Sequence, residues 1–319
     1  MKIVAALGGN ALLLRGESPD SDAQERHVRD AARALAPLAT KHELVITHGN
    51  GPQVGVLALE SAADAALSHP YPFDALVAET QGLIGNWLVG AIERASSARA
   101  ACLLTRTVVD AGDRGFEDPT KFVGPVYTED EATRLAHERG WQVRQDGASW
   151  RRVVASPEPV DILEIPEIDL LLWHGDVVVC AGGGGIPIVR DDDGSWRDVE
   201  AVVDKDLTAA VLAHKLQADA LLLLTDVANV EVGWGTPKAS PIKRATVAEL
   251  RELGLPAGSM GPKVEAACRF VEGGGRLAAI GRLEDAVALL SGRAGTSVVP
   301  SRAAVVVEHT SEAHTASAP

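Results

Sequence analysis

The chain has 319 residues, 46% hydrophobic but only 4% aromatic, with 31 glycines and a formal net charge of −14. That length buries a large core, as one α/β domain or as two coupled lobes. The charge argues against nucleic acid or an anionic membrane as main partner, because both need a basic field, so local amides, a few lysines and a metal would have to hold any anionic ligand.

In chain order, the opening Met1-Lys2-Ile3 enters an apolar run at once, with no leader-like apolar segment and cleavage site. No apolar stretch reaches the roughly 18 residues of a membrane span, and a cytoplasmic protein is expected. Residues 4–7 read as a buried strand emptying into Gly8-Gly9-Asn10. A helix follows over 22–39, with Val28, Ala31, Ala32 and Leu35 on one face, which Pro37 should kink or end early. Residues 44–47 form a second strand, leading to His48-Gly49-Asn50-Gly51, and Pro52 opens the next helix. A helix over 79–95 carries the stripe Leu83, Ile84, Trp87, Leu88 and Ile92, and 103–109 is a strand candidate.

From Asp110 to about Asp169, glycines, prolines and clustered charges break the rhythm, which predicts a small subdomain or lid. Trp141, Trp150, Trp173 and Trp196 are expected to form its core. Regular structure resumes with a third strand, 177–181, which empties into Gly182-Gly183-Gly184-Gly185. Asp191-Asp192-Asp193 before Gly194 reads as a solvated hairpin turn rather than a metal site. Residues 221–224 make a very apolar strand ending at Thr225-Asp226. A helix over 262–271, a strand over 277–280 and a helix over 283–290 follow, and the polar end 309–319 is expected to fray. Strands alternating with helices imply right-handed crossovers and a mainly parallel sheet.

The three glycine turns carry the functional signal. A buried parallel strand ending in glycines lets backbone N–H groups approach an anion with no Cβ in the way. Three such turns at one sheet edge would make a site for a multiply charged ligand, phosphate above all. Familiar alternatives are absent: no lysine follows a glycine, so there is no Walker A sequence; Pro187 spoils a G-x-G-x-x-G; and G-x-S-x-G does not occur. Cys102, Cys180 and Cys268 are scattered in apolar contexts, which suits buried free thiols of a reducing compartment. His48, ending a buried strand, reads more readily as a hydrogen-bonded buried group than as an acid or base. Lysines are few, eight against 22 arginines, and three have unusual settings. Lys121 lies in the excursion, Lys205 stands between Asp204 and Asp206 before a helix, and Lys263 opens another helix after Gly261-Pro262. Phosphoryl transfer needs cations along the path of the moving charge, and an ammonium at a helix start beside a carboxylate suits that task.

Taken together, the segments Ala6–Ala11, His48–Gly55, Thr80–Gly85, Pro119-Thr120-Lys121 with Gly124-Pro125, Trp150–Val154, Gly182–Pro187, Val203–Asp206, Gly258–Lys263 and Gly295-Thr296 resemble the carbamate kinases. They stand in that family's order, within the wider amino-acid kinase fold, and span nearly the whole chain. Leu7 occupies the place where relatives that phosphorylate amino-acid carboxylates usually carry lysine. Phe122-Val123 and Gln145–Ser149 depart from the family's pattern.

The resemblance implies a three-layer αβα sandwich with a mainly parallel central sheet and a small protruding subdomain, about 110–170, supplying Lys121. It implies an N-terminal carbamate or carbamoyl phosphate lobe over 1–188, a nucleotide lobe over 189–309, and a disordered tail over 310–319. The implied reaction is reversible transfer between ATP and carbamate, giving ADP and carbamoyl phosphate. It would run in a homodimer, often toward ATP in arginine or carbamoyl-compound breakdown. On this reading Gly8, Gly9, Asn10, Gly49, Asn50 and Gly51 hold the carbamate and the transferring phosphoryl group. Lys121, Lys205 and Lys263 neutralise phosphate charge, and Asp206 orients the lysines. Gly183, Gly184, Thr225, Asp226, Val227, Ser259, Met260 and Gly261 bind the nucleotide, which brings Mg²⁺ with it; no metal site made by the protein alone is expected. Other readings stay open: another acyl-phosphate kinase of the same fold, a non-catalytic nucleotide sensor, and, least favoured, a dinucleotide-dependent oxidoreductase.

Overall fold

The computed structural model describes residues 1–14, 16–236, 238–254 and 260–300. Its first part holds β1 (Lys2–Leu7), α1 (Ser21–Ala39), β2 (Glu43–His48), α2 (Gly51–Ala63), α3 (Phe73–Ala95), β3 (Ala100–Cys102) and β4 (Arg106–Val109). Then come α4 (Arg114–Glu117), β5 (Lys121–Tyr127), α5 (Glu129–Arg139), β6 (Gln142–Asp146), β7 (Ser149–Val154), β8 (Pro159–Ile162), α6 (Ile165–Trp173), β9 (Val177–Val179), β10 (Ile186–Arg190) and β11 (Trp196–Asp198). The rest is α7 (Lys205–Lys215), β12 (Ala220–Thr225), β13 (Val230–Val232), β14 (Ser240–Ile242), β15 (Arg244–Thr246), α8 (Val247–Glu252), α9 (Met260–Glu272), β16 (Leu277–Arg282), α10 (Ala286–Leu290) and β17 (Thr296–Val299).

Eight strands form one sheet in the order β15-β17-β16-β12-β1-β2-β9-β3, with every pairing parallel except β16 with β17. Successive side chains of a strand point to opposite faces, so a run apolar at every position must be covered on both. Ile3, Ala5, Leu7, Ile46 and Leu222 pack with Val28, Leu35, Ile84, Leu88 and Leu289 of α1, α3 and α10. Val4, Ala6, Val45, Leu221 and Leu223 pack with Ile168, Leu172, Leu212, Val264 and Phe270 of α6, α7 and α9. The result is the expected αβα sandwich. No described helix is long and apolar enough to cross a membrane.

Several boundaries differ from the sequence reading. Pro37 sits inside the last turn of α1, which runs on to Ala39, because Leu35, Leu38 and Ala39 are buried and hold that turn on the sheet. Helix α3 begins at Phe73, and its buried Phe73, Leu76 and Val77 extend the apolar stripe toward the N-terminus. The run 103–109 is not one strand: β3 ends the main sheet, while β4 joins a second sheet ordered β11-β10-β4-β8. Gln81 turns the chain between them, accepting the N–H of Thr105 at 2.9 Å and donating to its carbonyl at 3.1 Å. Strand β10 spans residue 188, so a division there would cut a strand.

The excursion is smaller than 110–170. Its own sheet, β5-β7-β6, with α5 covers residues 121–154. Before and after it the chain returns to the body, where β8 pairs with β4 and Ile168 and Leu172 of α6 join the main core. Val123 and Val154 dock the subdomain against Val54, Phe73, Leu76 and Val77. The Arg152 guanidinium lies 4.8 Å from the ring centroids of both Phe73 and Trp141 and bonds Glu200 at 3.1 Å. The expected tryptophan core does not form: Trp173 is 79% exposed on α6 and Trp196 40% exposed on β11. Asp191, Asp192 and Asp193 do sit in the turn of the antiparallel β10–β11 hairpin. Ser259 and the expected tail 310–319 lie outside the described residues.

Candidate active site

The register of the parallel strands brings the glycine turns together. Leu7 pairs with both His48 and Leu224, so Gly8, Gly49 and Thr225 stand at one level at the end of the sheet. Ile46 pairs with Val179, which places the 182–185 turn beside them at the same carboxyl edge. The edge opens into a cleft of about 1260 Å³ that reaches Lys121 and the subdomain.

The turns do different work. The N–H of Gly8 donates to Leu224 O at 2.9 Å and that of Gly49 to Leu7 O at 3.0 Å, so these two amides extend the sheet ladder instead of meeting a ligand. Their glycines serve close approach: a Cβ on Gly49 would stand 3.0 Å from Gly9 N and 3.2 Å from Lys205 Cε. Gly9 and Asn10 lie in the short turn Gly9–Ala11, and Gly51 starts α2, whose 13 residues run from the cleft. First-turn N–H groups of a helix lack intrahelical acceptors and favour an anion. Asn50 is buried, and its Nδ2 donates to Thr80 Oγ1 at 2.9 Å.

The third turn is a packing knot. Ala181, Gly183, Gly184 and Gly185 all have positive φ. Cβ atoms at 182, 183 and 184 would strike the His48 ring, the Asn50 amide and Val203 O respectively. Gly184 O accepts from Thr107 Oγ1 at 2.8 Å and Thr208 Oγ1 at 3.0 Å. Of the two glycines expected to bind nucleotide here, Gly183 lines the cleft and Gly184 lies behind it, pinned to Val203. Thr225 and Asp226 line the cleft, whereas Val227, Met260 and Gly261 stand back from it, Met260 packing on the core.

The three lysines converge. Lys205 Nζ lies 2.8 Å from Asp206 Oδ1, and Lys263 Nζ lies 3.0 Å from Asp206 Oδ2. Lys121 Nζ, entering from β5, lies 2.9 Å from Asp204 Oδ2. Lys263 and Asp206 are buried despite their charges, which a charged group tolerates only when paired. Burial opposes ionisation of Asp206, but Lys205 and Lys263 hold its carboxyl below the usual range. Burial would likewise lower the Lys205 pKa, yet Asp206 and Asp204 outweigh it and raise the ammonium above its ordinary value. Lys263 moves the other way, lowered first by burial and then by the Lys205 charge. Three ammonium groups thus meet the carboxylates of Asp204 and Asp206 at one place in the cleft, inside a chain of net charge −14.

Asp204, absent from the sequence assignments, caps α7. An aspartate just before a helix that opens Lys205-Asp206 is a readable N-cap signal. Arg151 was also missed; it lines the cleft and reaches Gly124 O at 2.9 Å and Asp146 Oδ2 at 3.1 Å. The segment Trp150–Val154 marked its neighbourhood, but composition and spacing alone give it no role among 22 arginines.

His48 is 1% exposed, with Nδ1 3.0 Å from Gly49 O. Burial pushes its pKa from the ordinary 6.5 down to about 4, against that hydrogen bond, so it stays neutral at working pH and is no proton shuttle. Between those values the unfolded chain binds a proton that the folded chain refuses, so stability falls as pH drops through the window. The full span is worth on the order of 3 kcal/mol. His48→Gln should flatten that part of the stability–pH curve, read from urea midpoints at pH 7 and pH 4.5; an unchanged slope would show that His48 protonates within the fold.

An open α/β sheet with lysines and helix starts gathered at its carboxyl edge defines a phosphoryl-transfer site rather than a hydrolase or dinucleotide site. The sequence matches the amino acid kinase family over residues 1–281. A carbamate kinase of Rhizobium meliloti is 49% identical over 305 residues, 94% of each chain. A carbamate kinase of Escherichia coli K12 is 46% identical over 297 residues, 93% of this chain and 98% of its own. The structure of carbamate kinase from Giardia lamblia bound to AMP-PNP superposes with a TM-score of 0.86 at 37% identity, covering 94% of this chain and 98% of that one. The chain belongs to the amino acid kinase family.

Proposed function

We propose that this protein is a carbamate kinase, a phosphotransferase that moves the γ-phosphoryl group of ATP reversibly onto carbamate, giving ADP and carbamoyl phosphate. The observation that carries the reading is the lysine cluster: Lys205 and Lys263 on the two oxygens of one buried carboxylate, with Lys121 beside them on Asp204. Carbamate already carries an anionic oxygen, so its attack needs no strong base. The obstacle is two anions in near contact, which fixed cations and amides relieve. Lys121, Lys205 and Lys263 neutralise the transferring and leaving phosphates, and Asp206 bridges the Lys205 and Lys263 ammonium groups and aims them. Gly9, Asn50 and Gly51 hold carbamate at the start of α2, while Gly183, Thr225 and Asp226 face the nucleotide.

Mg²⁺ enters on the nucleotide. A nucleotide-borne Mg²⁺ keeps several waters and takes most of its other ligands from phosphate. Asp226, one of the carboxylates lining the cleft, would hold one of those waters. When bound, the ion neutralises charge on the β and γ oxygens. The reading extends to a carbamate lobe built on β1, β2 and β9, a nucleotide lobe on α7, β12 and α9, and a cytoplasmic homodimer that runs toward ATP. Strand β3 at one edge of the sheet and the exposed Leu83 on α3 offer surface for self-association.

The test is ATP formation by the purified chain from carbamoyl phosphate, ADP and Mg²⁺. Turnover should appear, vanish with excess EDTA and return with added Mg²⁺. No turnover with carbamoyl phosphate, but turnover with an amino-acid acyl phosphate, would move the protein to another acyl-phosphate kinase.

A further inference from the structure

The Asp204 carboxylate serves two elements at once. Its Oδ1 accepts the N–H of Asp206 at 2.9 Å and of Leu207 at 3.3 Å, capping α7. Its Oδ2 accepts from Lys121 Nζ at 2.9 Å, across 83 residues of chain. Lys121 is the first residue of β5, so this ion pair ties the protruding subdomain to the helix start that carries Lys205 and Asp206. A cap alone asks for one acceptor oxygen, which serine, threonine or asparagine supplies as well. Only a carboxylate gives one oxygen to the helix and a second, charged one to a lysine.

We propose that Asp204 is a positioning residue for phosphoryl transfer, setting the Lys121 ammonium and the first turn of α7 against the same point of the cleft. The proposal rests on the reading of Lys121 as a phosphate-neutralising group. Burial works against the Asp204 charge, but Lys121 and Lys205 bring its pKa down to about 2, so the tie holds throughout the working pH range. The Asp204 side chain is 16% exposed and that of Lys121 37%, so solvent reaches the pair from the lysine side but weakens it less than at a fully open surface.

Asp204→Asn separates the two duties, because its amide oxygen can still cap α7 while the charge facing Lys121 is gone. The variant should stay folded with a modestly lower melting temperature and a KM for ADP near wild type, and kcat should fall about tenfold or more, as for the loss of one charge-assisted contact. Lys121→Met should fall at least as far, and the double variant should be no slower than Lys121→Met alone. Wild-type kcat in a folded Asp204→Asn variant would overturn the proposal by reducing Asp204 to a cap. Losses that multiply in the double variant would overturn it by showing that Asp204 acts apart from Lys121. If the wild-type chain makes no ATP, the functional reading fails instead, and the tie is read from the stability of the same four proteins. Coupling of about twofold to fivefold in the unfolding equilibrium supports it, and none overturns it.

Discussion

Lys205→Ala is expected to lower kcat by about 10²-fold or more, with the fold retained and the KM for ADP changed far less. Lys205 opens α7 beside Asp206 and reaches across the cleft to Gly49, where a Cβ would come within 3.2 Å of its Cε. It therefore links the start of α7 to the turn that follows β2, where the proposed reaction would bring carbamate and the phosphoryl group together. Its ammonium is held by Asp206 and Asp204 above the ordinary lysine range, so it is fully charged at every pH at which the enzyme works. A charge fixed in advance needs no reorganisation when negative charge develops on the transferring group. Removing it leaves Asp206 paired with Lys263 at 3.0 Å, which is why folding should survive. Lys205→Arg should not restore the rate, since a planar guanidinium cannot replace a compact ammonium in a pocket that leaves the lysine side chain 17% exposed. The measurement is kcat for ATP formation alongside the urea midpoint. Near-normal turnover in the folded alanine variant would remove Lys205 from the mechanism.

The sheet was legible because its signal is local. Runs such as Leu221-Leu222-Leu223-Leu224 are apolar at every position, and only a strand covered on both faces asks for that. The convergence of the glycine turns was legible too, but their roles were not. Whether an amide faces a ligand or a neighbouring strand depends on register, so Gly8 and Gly49 could not be told from Gly9 and Gly51. The turn at 182–185 looked like a phosphate cradle because glycine is required there, yet the requirement comes from positive φ and from His48, Asn50 and Val203 pressing on it. The split of 103–109 depends on Gln81, far away in sequence, intercepting the backbone of Thr105. The place of Lys263 at a helix start marked it as a candidate cation, but its burial shows only once α9 is packed against α7. Its pairing with Asp206 spans 57 residues, a contact that no periodicity encodes.

Asp206→Asn is expected to damage both stability and rate, which sets it apart from the loss of either lysine. The carboxylate bridges two ammonium groups, at 2.8 and 3.0 Å on its two oxygens. Without it, like charges face each other in a site where Lys263 is 6% exposed. Deleting one partner of such a buried ion pair costs about 3–5 kcal/mol. Lys263, already lowered by burial and by Lys205, is the group that should give up its proton, which relieves the repulsion and removes a cation from the phosphoryl path. A fall in kcat of about 10²-fold or more should therefore accompany the lower urea midpoint. Lys263→Met in the same chain should recover much of the stability and none of the rate. The pH dependence has a definite sign. Asp206 is held below the usual carboxylate range, so its contribution is present above that range and is lost as pH falls through the lowered value. The acid limb of the stability curve should accordingly be shallower in Asp206→Asn than in the parent chain. A variant that keeps the parent midpoint would mean that the two ammonium groups do not depend on this carboxylate, and the electrostatic basis for the site would fall with it.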